Sequence, residues 1–597
     1  MTPVETLVEA RRLHASGELH RAAEMYHQVL EDNPRSADVW RSLSEIRREQ
    51  GRFSEAASGF QRALRLRPGD PEILNGLGIT EAQLGRVADA VDTFRRAVAS
   101  APDYAQAIYN LGIALVEARQ FDDAITNFHR AIELNPDYLE ARISLGNTLI
   151  ETGAHRLAVD AFWEAIRLRP DSAEALNGLG LALIGSNRAA AAVVMLRQAA
   201  RLKPGFSGAY NNLGLALAEE GRYSEAEAAY EKALSTDPRY AEAHANLGNL
   251  FKEQQQLPEA LACYDIALAL KQDCISARWN RALALLQSGD YTQGWVEYES
   301  RWFRKKGSVV REFPQPIWDG TSLKGQRILV HTEQGLGDTL QFARYVSLLK
   351  AAEAHVIFET PSPLTGVLQS LGGVDEMIVE GQSIPDFDVH IPLMSLPRLF
   401  HTTVETIPGQ TPYLFTDADR ALGWRERLAG LEGLKVGIAW QGNPHHQWDR
   451  HRSIALAALR PLADIDGVHL LSLQRGPGSE QVRCLDDGFK VQQLLDPSLP
   501  DSDALVETAA MMVNLDLVIS VDTATAHLAG ALGVRSWVLL SMMLDWRWLL
   551  SRSDTPWYPH MRLFRQSRRG EWQPVVSQLT TELKTLAGQP IELAVQS

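Results

Sequence analysis

The stretch "PDYAQAIYNLGIALVEARQFDDAITNFHRAIELN", Pro102 to Asn135, reads as two helical segments parted by a short polar break, and the next proline, Pro136, starts the pattern again. Its period is 34 residues. Pro34, Pro68, Pro102, Pro136, Pro170, Pro204 and Pro238 keep it without insertion. Ala22, Ala56, Ala90, Ala124, Ala158, Ala192, Ala226 and Ala260 keep the same beat. A large residue follows each alanine by four: Tyr26, Phe60, Phe94, Phe128, Phe162, Leu196, Tyr230 and Tyr264. Leu-Gly pairs at 77–78, 111–112, 145–146, 179–180, 213–214 and 247–248 mark the first segment of six units. Small residues let paired helices approach, the large residue is expected to fill the gap between units, and proline ends the second helix because it lacks an amide hydrogen.

These residues resemble the tetratricopeptide repeat (TPR) family over roughly residues 3–308, with eight good units and a ninth in which Arg281-Ala282 replaces Leu-Gly. The resemblance implies an all-α TPR superhelix that binds protein. Asn110, Asn212, Asn246 and Asn280 share one position, immediately before the Leu-Gly site or its equivalent. An amide both donates and accepts, so such a row pairs with an extended peptide backbone whatever its sequence. A similar asparagine ladder occurs in the TPR arm of protein O-GlcNAc transferases. The alternative is that these amides only tie adjacent helices together.

The 597-residue chain is too long for one core. Its net charge of −15 repels phosphate backbones, so no nucleic-acid partner is expected. Cys263, Cys274 and Cys484 show no CxxC spacing, which points to a reducing compartment without a zinc site. The first residues lack the apolar core of a signal peptide. The apolar late stretch, Leu517 to Leu544, is broken by Asp522, His527 and Arg535. It reads as buried strand, helix and strand, so no membrane span is expected and the location expected is cytoplasmic.

Beyond Trp302 the period stops, and a polar, proline-bearing segment reads as a linker. Nine strand-like runs then alternate with helical ones, from "RILVHTE" to "MRLFRQ", which argues for parallel sheets covered by helices. They are too many for one ordinary sheet, so two Rossmann-like lobes are expected, with ligand between them where strand C-termini face a cleft.

Three motifs point there. "EQGLGDTLQFARY", Glu333 to Tyr345, is neither GxGxxG nor a Walker loop, and it puts Asp338 at a helix start as a catalytic carboxylate or only a cap. "WQGNPHHQWDRHRS", Trp440 to Ser453, follows a strand; its His445, His446 and His451 lack an accompanying acidic pattern, so no metal is expected. In "VISVDTATAHLAGALG" a strand ends at Val521 and Asp522-Thr523 open a helix, whose amides form an anion site.

All three stretches resemble family 9 glycosyltransferases, the lipopolysaccharide heptosyltransferase relatives of two-lobed GT-B fold, over about 325–570. The resemblance implies that Asp338 supplies a carboxylate near the acceptor. Arg452 would hold donor phosphates where the family usually has lysine, and Asp522, Thr523 and His527 would bind donor sugar and pyrophosphate. The tail "DWRWLLSRSDTPWYPHMRLFRQ" resembles a bacterial branch with TPR arms fused to such lobes, a plan shared by flagellin glycosyltransferases. DxD triplets do not follow strand ends, and the GT-B likeness implies catalysis without metal or other cofactor.

The reading is a TPR solenoid (1–308), a linker (309–324), a GT-B N-terminal lobe on the acceptor side (325–420), a C-terminal lobe on the nucleotide-sugar side (421–570), and a C-terminal helix and tail (571–597). The function expected is a protein O-glycosyltransferase, transferring sugar with inversion from a nucleotide-sugar donor to Ser or Thr of an acceptor protein bound by the TPR arm. Asp338 would accept the hydroxyl proton, with His446 as second choice, and Arg452 and Arg475 would stabilise the departing phosphate. The alternatives are a TPR scaffold with inactive lobes, and a transferase acting on saccharide or lipid.

Overall fold

The computed structural model describes residues 3–304, 311–445, 449–485, 488–542 and 545–588. The chain divides into two compact units, Met1–Asn246 and Leu247–Ser597. The boundary falls inside the helix Ala241–Glu253, well before residue 308, where the sequence places the end of the solenoid.

Described residues of the first unit form seven antiparallel helix pairs, from Pro3–Ala15 with Leu19–Asp32 to Ser207–Glu219 with Tyr223–Thr236. The residue ahead of each periodic proline leaves the helix. Ala101 has φ −138° and ψ 87°, and Asn135 has φ −133° and ψ 90°. The proline ring forbids helical backbone in the preceding residue, and this stops the second helix on the beat.

The Leu-Gly sites explain themselves in the packing. A Cβ placed on Gly112 would stand 2.6 Å from the ring of Phe128, and one on Gly214 would stand 2.6 Å from Tyr230. Both rings are buried. Each glycine thus leaves room for the aromatic of its own hairpin, in addition to the gap between units where the sequence places that residue. Phe162 does both, since it also lies against Gly178 of the next pair.

Two further helix pairs follow, Ala241–Glu253, in which the boundary falls, with Leu257–Leu270, and Ile275–Ser288 with Tyr291–Tyr298. The ninth repeat folds although its sequence drifts. Ala282 stands buried at the glycine position, and Tyr298 keeps the aromatic one. Tyr291, Trp295 and Tyr298 belong to the same apolar core as Phe342, Trp546 and Trp557, so this repeat is built into the C-terminal domain.

Nine strands follow: β1 (Arg327–His331), β2 (His355–Thr360), β3 (Glu376–Val379), β4 (Val389–Pro392), β5 (Leu434–Ala439), β6 (Val468–Ser472), β7 (Leu517–Val521), β8 (Ser536–Leu540) and β9 (Met561–Arg565). They form two sheets, ordered β3-β2-β1-β4 and β6-β5-β7-β8-β9, with every pairing parallel. β7 and β8 are buried along their whole length, as parallel strands covered on both faces must be. The expected linker is partly docked on the first sheet. The Trp318 amide donates to the His390 carbonyl at 2.8 Å, the His390 amide donates to Pro316, and the Trp318 side chain is buried. The expected C-terminal helix runs Gln573–Ala587 and packs on the second sheet's core through Val575, Val576, Leu579 and Leu583.

Candidate functional site

β1 ends at His331, and after a short turn the chain enters the helix Leu336–Phe342. Asp338 occupies its third position, where Oδ2 accepts the Gly335 amide hydrogen at 2.9 Å. A carboxylate reaching back to the amide at the helix entrance satisfies a donor that the helix itself leaves orphaned. Oδ1 is paired with the guanidinium of Arg547, 209 residues further on. Asp338 is therefore both cap and ion-pair partner.

Arg547 is the residue that local sequence reading does not find. It lies in the turn Trp546–Trp548, buried, with its guanidinium 4.3 Å over the Trp546 ring. Nε donates to Gln341 Oε1 at 2.6 Å, and Nη1 donates to Asp545 Oδ1 at 2.8 Å. Burial works against its charge, but the Asp545 and Asp338 carboxylates outweigh burial and hold it protonated. The clue in the sequence is "DWRW", Asp545 to Trp548, a charged pair among tryptophans in an otherwise apolar region. Nothing local to it points to Asp338.

The helix Ala524–Ala531 packs against the helix of Asp338. Gly337 permits the approach: a Cβ there would stand 2.9 Å from the His527 ring and 3.5 Å from Ala524 Cα. His527 Nδ1 lies 3.0 Å from the Tyr558 hydroxyl, and its ring stacks on Trp548 at 5.6 Å between centroids. Burial first, then the cations Arg547, Arg344 and Arg452, push its pKa well below the ordinary value, so the ring is neutral. Asp522 follows β7 directly, and Thr523 stands at the helix entrance with its hydroxyl 3.3 Å from the Val521 carbonyl. Burial, and then the Asp545 carboxylate, push the Asp522 pKa up to about 6.

Arg452 reaches this place from the short helix Asp449–Arg452, which follows β5. Nη1 donates to the Asp522 carbonyl at 3.1 Å and Nε donates to buried Asp449 at 3.1 Å. Gly442 makes room, since a Cβ there would stand 2.6 Å from Arg452 Nη2. Asp338, Arg452, Asp522, Thr523 and His527 are thus gathered beyond the C-terminal ends of β1, β5 and β7, where open parallel sheets bind ligands.

Arg475 is placed differently. Its guanidinium donates to the carbonyls of Asp496 at 3.3 Å and Leu499 at 3.0 Å, which ties a loop after β6. His446 lies outside the described residues. His451 is pushed down to about 4 by burial and by Arg569 and Arg450. Among the described residues no group of three or more His, Cys, Asp or Glu is arranged to hold a metal ion.

The asparagine row forms a ladder of a specific kind. Asn110 donates to Asn75 at 2.8 Å, Asn212 to Asn177 at 2.9 Å, and Asn246 to Asn211 at 2.9 Å. Each bond joins successive repeats and uses one of two amide hydrogens, so tying the helices and meeting a peptide are compatible roles. Asn280 instead accepts from Lys252 at 3.0 Å, and burial pushes that lysine down to about 8.

Residues 7–71, 46–105, 109–173 and 145–205 match a tetratricopeptide repeat family model, and 214–255 and 248–289 match a TPR repeat model. The N-terminal region, to about residue 290, carries tetratricopeptide repeats. Such repeats indicate interaction with other proteins. Across 347 residues the chain is 27% identical to Protein FlbA of Caulobacter vibrioides (strain ATCC 19089 / CIP 103742 / CB 15), covering 53% of this chain and 56% of FlbA. The chain spans little more than half the length of that relative. Among solved structures, MamA protein is 27% identical, over 28% of this chain and 92% of that one, with a TM-score of 0.27. YrrB, described as a TPR protein with an unusual peptide-binding site, is 23% identical over 32% of this chain and 100% of that one, with a TM-score of 0.26. The Cut9-Hcn1 hetero-tetramer is 19% identical over 47% of this chain and 55% of that one, at a TM-score of 0.36. No described helix is long and apolar enough to cross a membrane.

Proposed function

We propose that this protein is a protein O-glycosyltransferase of GT-B type, in which the TPR arm recruits a polypeptide and the two parallel-sheet lobes transfer sugar from a nucleotide-sugar donor to a Ser or Thr hydroxyl. The observation that carries the reading is the meeting of Asp338, Arg452, Asp522 and His527 beyond three parallel strand ends, with a glycine at the closest helix approach. In this reading Asp338 takes the hydroxyl proton as the sugar's anomeric carbon is displaced with inversion. His446 is the second choice of base. Arg452 and the amides at the entrance of Ala524–Ala531 neutralise the departing phosphate, with Thr523 and neutral His527 facing the donor. Arg475, which ties the 496–499 loop through backbone carbonyls, would have to release them to meet the departing phosphate. No metal or other cofactor takes part.

The TPR arm offers Asn110, Asn212, Asn246 and Asn280 to the acceptor backbone. A flagellin or another surface protein is the acceptor class that the fused TPR–transferase plan favours. The scaffold alternative draws on one observation: both Asp338 oxygens are engaged in this structure.

Incubation of the purified protein with a panel of nucleotide sugars tests the assignment. Free nucleotide should appear when a polypeptide bearing Ser or Thr is added. Release that ignores polypeptide and follows an added saccharide or lipid would contradict it. Arg452→Ala should weaken nucleotide binding by at least about tenfold, the scale of one hydrogen bond from a charged donor.

A further inference from the structure

The described charged groups around Asp522 do not favour a second anion as they stand. Asp338, Asp449, Asp522 and Asp545 surround two guanidiniums, those of Arg452 and Arg547. A nucleotide donor brings phosphate charge into this place, so it must compete for cations that carboxylates already hold. Arg547 is where that competition has a consequence. It is bound to the carboxylate assigned as the base, and the same guanidinium is held on its other edges by Asp545 and Gln341.

A second observation points to a ligand at the same spot. Gln341 is fully buried; its Oε1 accepts from Arg547 Nε, while its Nε2 has no hydrogen-bond partner among the described residues. The bond to Arg547 fixes the amide plane, so an unused donor is held beside the guanidinium. A buried donor without a partner is costly, and an anionic oxygen held by the neighbouring arginine would satisfy it.

We propose that Arg547 is a shared counter-ion: it holds the Asp338 carboxylate in the ligand-free protein and is taken over by the phosphate groups of a bound nucleotide donor, which frees Asp338 for the acceptor hydroxyl. This rests on the transferase reading above and adds to it an order of events. The base is disengaged only when a donor is present, so acceptor hydroxyls do not meet an active carboxylate in the empty site. Gln341 moves from partner of Arg547 alone to donor for the same phosphate. Arg547 is a positioning residue for Asp338, and the ligand class it reads is a diphosphate.

The test uses the full-length protein and inorganic pyrophosphate as probe, titrated calorimetrically at fixed pH and ionic strength. Asp338→Asn removes the competitor and should tighten pyrophosphate binding by several-fold to about tenfold, the scale of a charge-assisted hydrogen bond. Arg547→Gln should weaken it by about tenfold or more. The gain from Asp338→Asn should disappear in the Arg547→Gln background, because a competitor matters only while the contested group is present. Arg547→Lys, which keeps a charge but loses the planar fork, carries the same cycle if the Gln variant does not fold, and there the gain should shrink. A gain of equal size in both backgrounds would reduce it to general charge removal and overturn the proposal. So would an unchanged Asp338→Asn affinity, or no pyrophosphate binding at millimolar concentration. Failure of the transferase reading shows differently: the binding cycle holds, but no nucleotide is released from any donor.

Discussion

Asp522 is held at a cost that pH reveals. Its folded pKa is raised from the ordinary 3.8 to about 6, by burial and then by Asp545. A raised pKa means that the folded state binds the proton more tightly than the unfolded chain does. The associated stability is therefore fully present below about pH 4 and is lost as pH rises through about 6. Asp522→Asn should raise the melting temperature at pH 8, and the gain should shrink toward zero as pH falls from 6 to 4. A gain that is equal at pH 4 and pH 8 would show that the carboxylate is not strained. At this scale the sequence shows the residues that follow strands, because Asp338, Asp522 and His527 each follow an apolar run within seven positions, and Arg452 lies in the segment after the next such run. It hides Arg547, whose role arises from a partner 209 residues away, and it hides the fact that Arg475 spends its guanidinium on backbone carbonyls.

The repeat hairpins were legible because one physical constraint recurs. Proline stops a helix, glycine admits a ring, and alanine lets helices approach, each on a 34-residue beat. Gly112→Ala should therefore be costly. Its Cβ would lie 2.6 Å from the buried Phe128 ring, and overpacking of this kind costs about 1–3 kcal/mol. Thermal unfolding of the pair Gly112→Ala and Gly112→Ala/Phe128→Leu checks this, since the smaller side chain should recover part of the loss. A neutral Gly112→Ala would contradict the packing account. The nine strands were legible for a different reason: parallel strands covered on both faces are continuous apolar runs. What no run of residues disclosed is that Pro316–Trp318 docks along β4, since a backbone pairing at a sheet edge leaves little mark on side-chain pattern.

At the scale of the whole molecule, the division of the chain is not where the repeat pattern ends. Tyr291, Trp295 and Tyr298 share a core with Trp546 and Trp557, and Arg301 is buried with ion pairs to Glu299 and Glu333. A fragment of residues 241–597 should therefore be folded and monodisperse, whereas 309–597 should aggregate or be cleaved rapidly by protease. Equal behaviour of the two fragments would remove the last repeats from the C-terminal core. The repeat period conceals this boundary because the same glycine-and-aromatic packing serves a hairpin in either unit. The central claim, that sugar is transferred to a polypeptide, is tested most directly by intact mass. A candidate acceptor, flagellin first, is co-expressed with the wild-type protein, with Asp338→Asn and with neither. The account predicts a mass increase of one or more sugar residues with wild type, and at least about tenfold less modified acceptor with the Asn variant, a floor below the usual contribution of a general base. An acceptor that binds this protein yet keeps its mass unchanged would contradict it, whereas equal modification by Asp338→Asn would remove Asp338 as the base and leave His446 in that role.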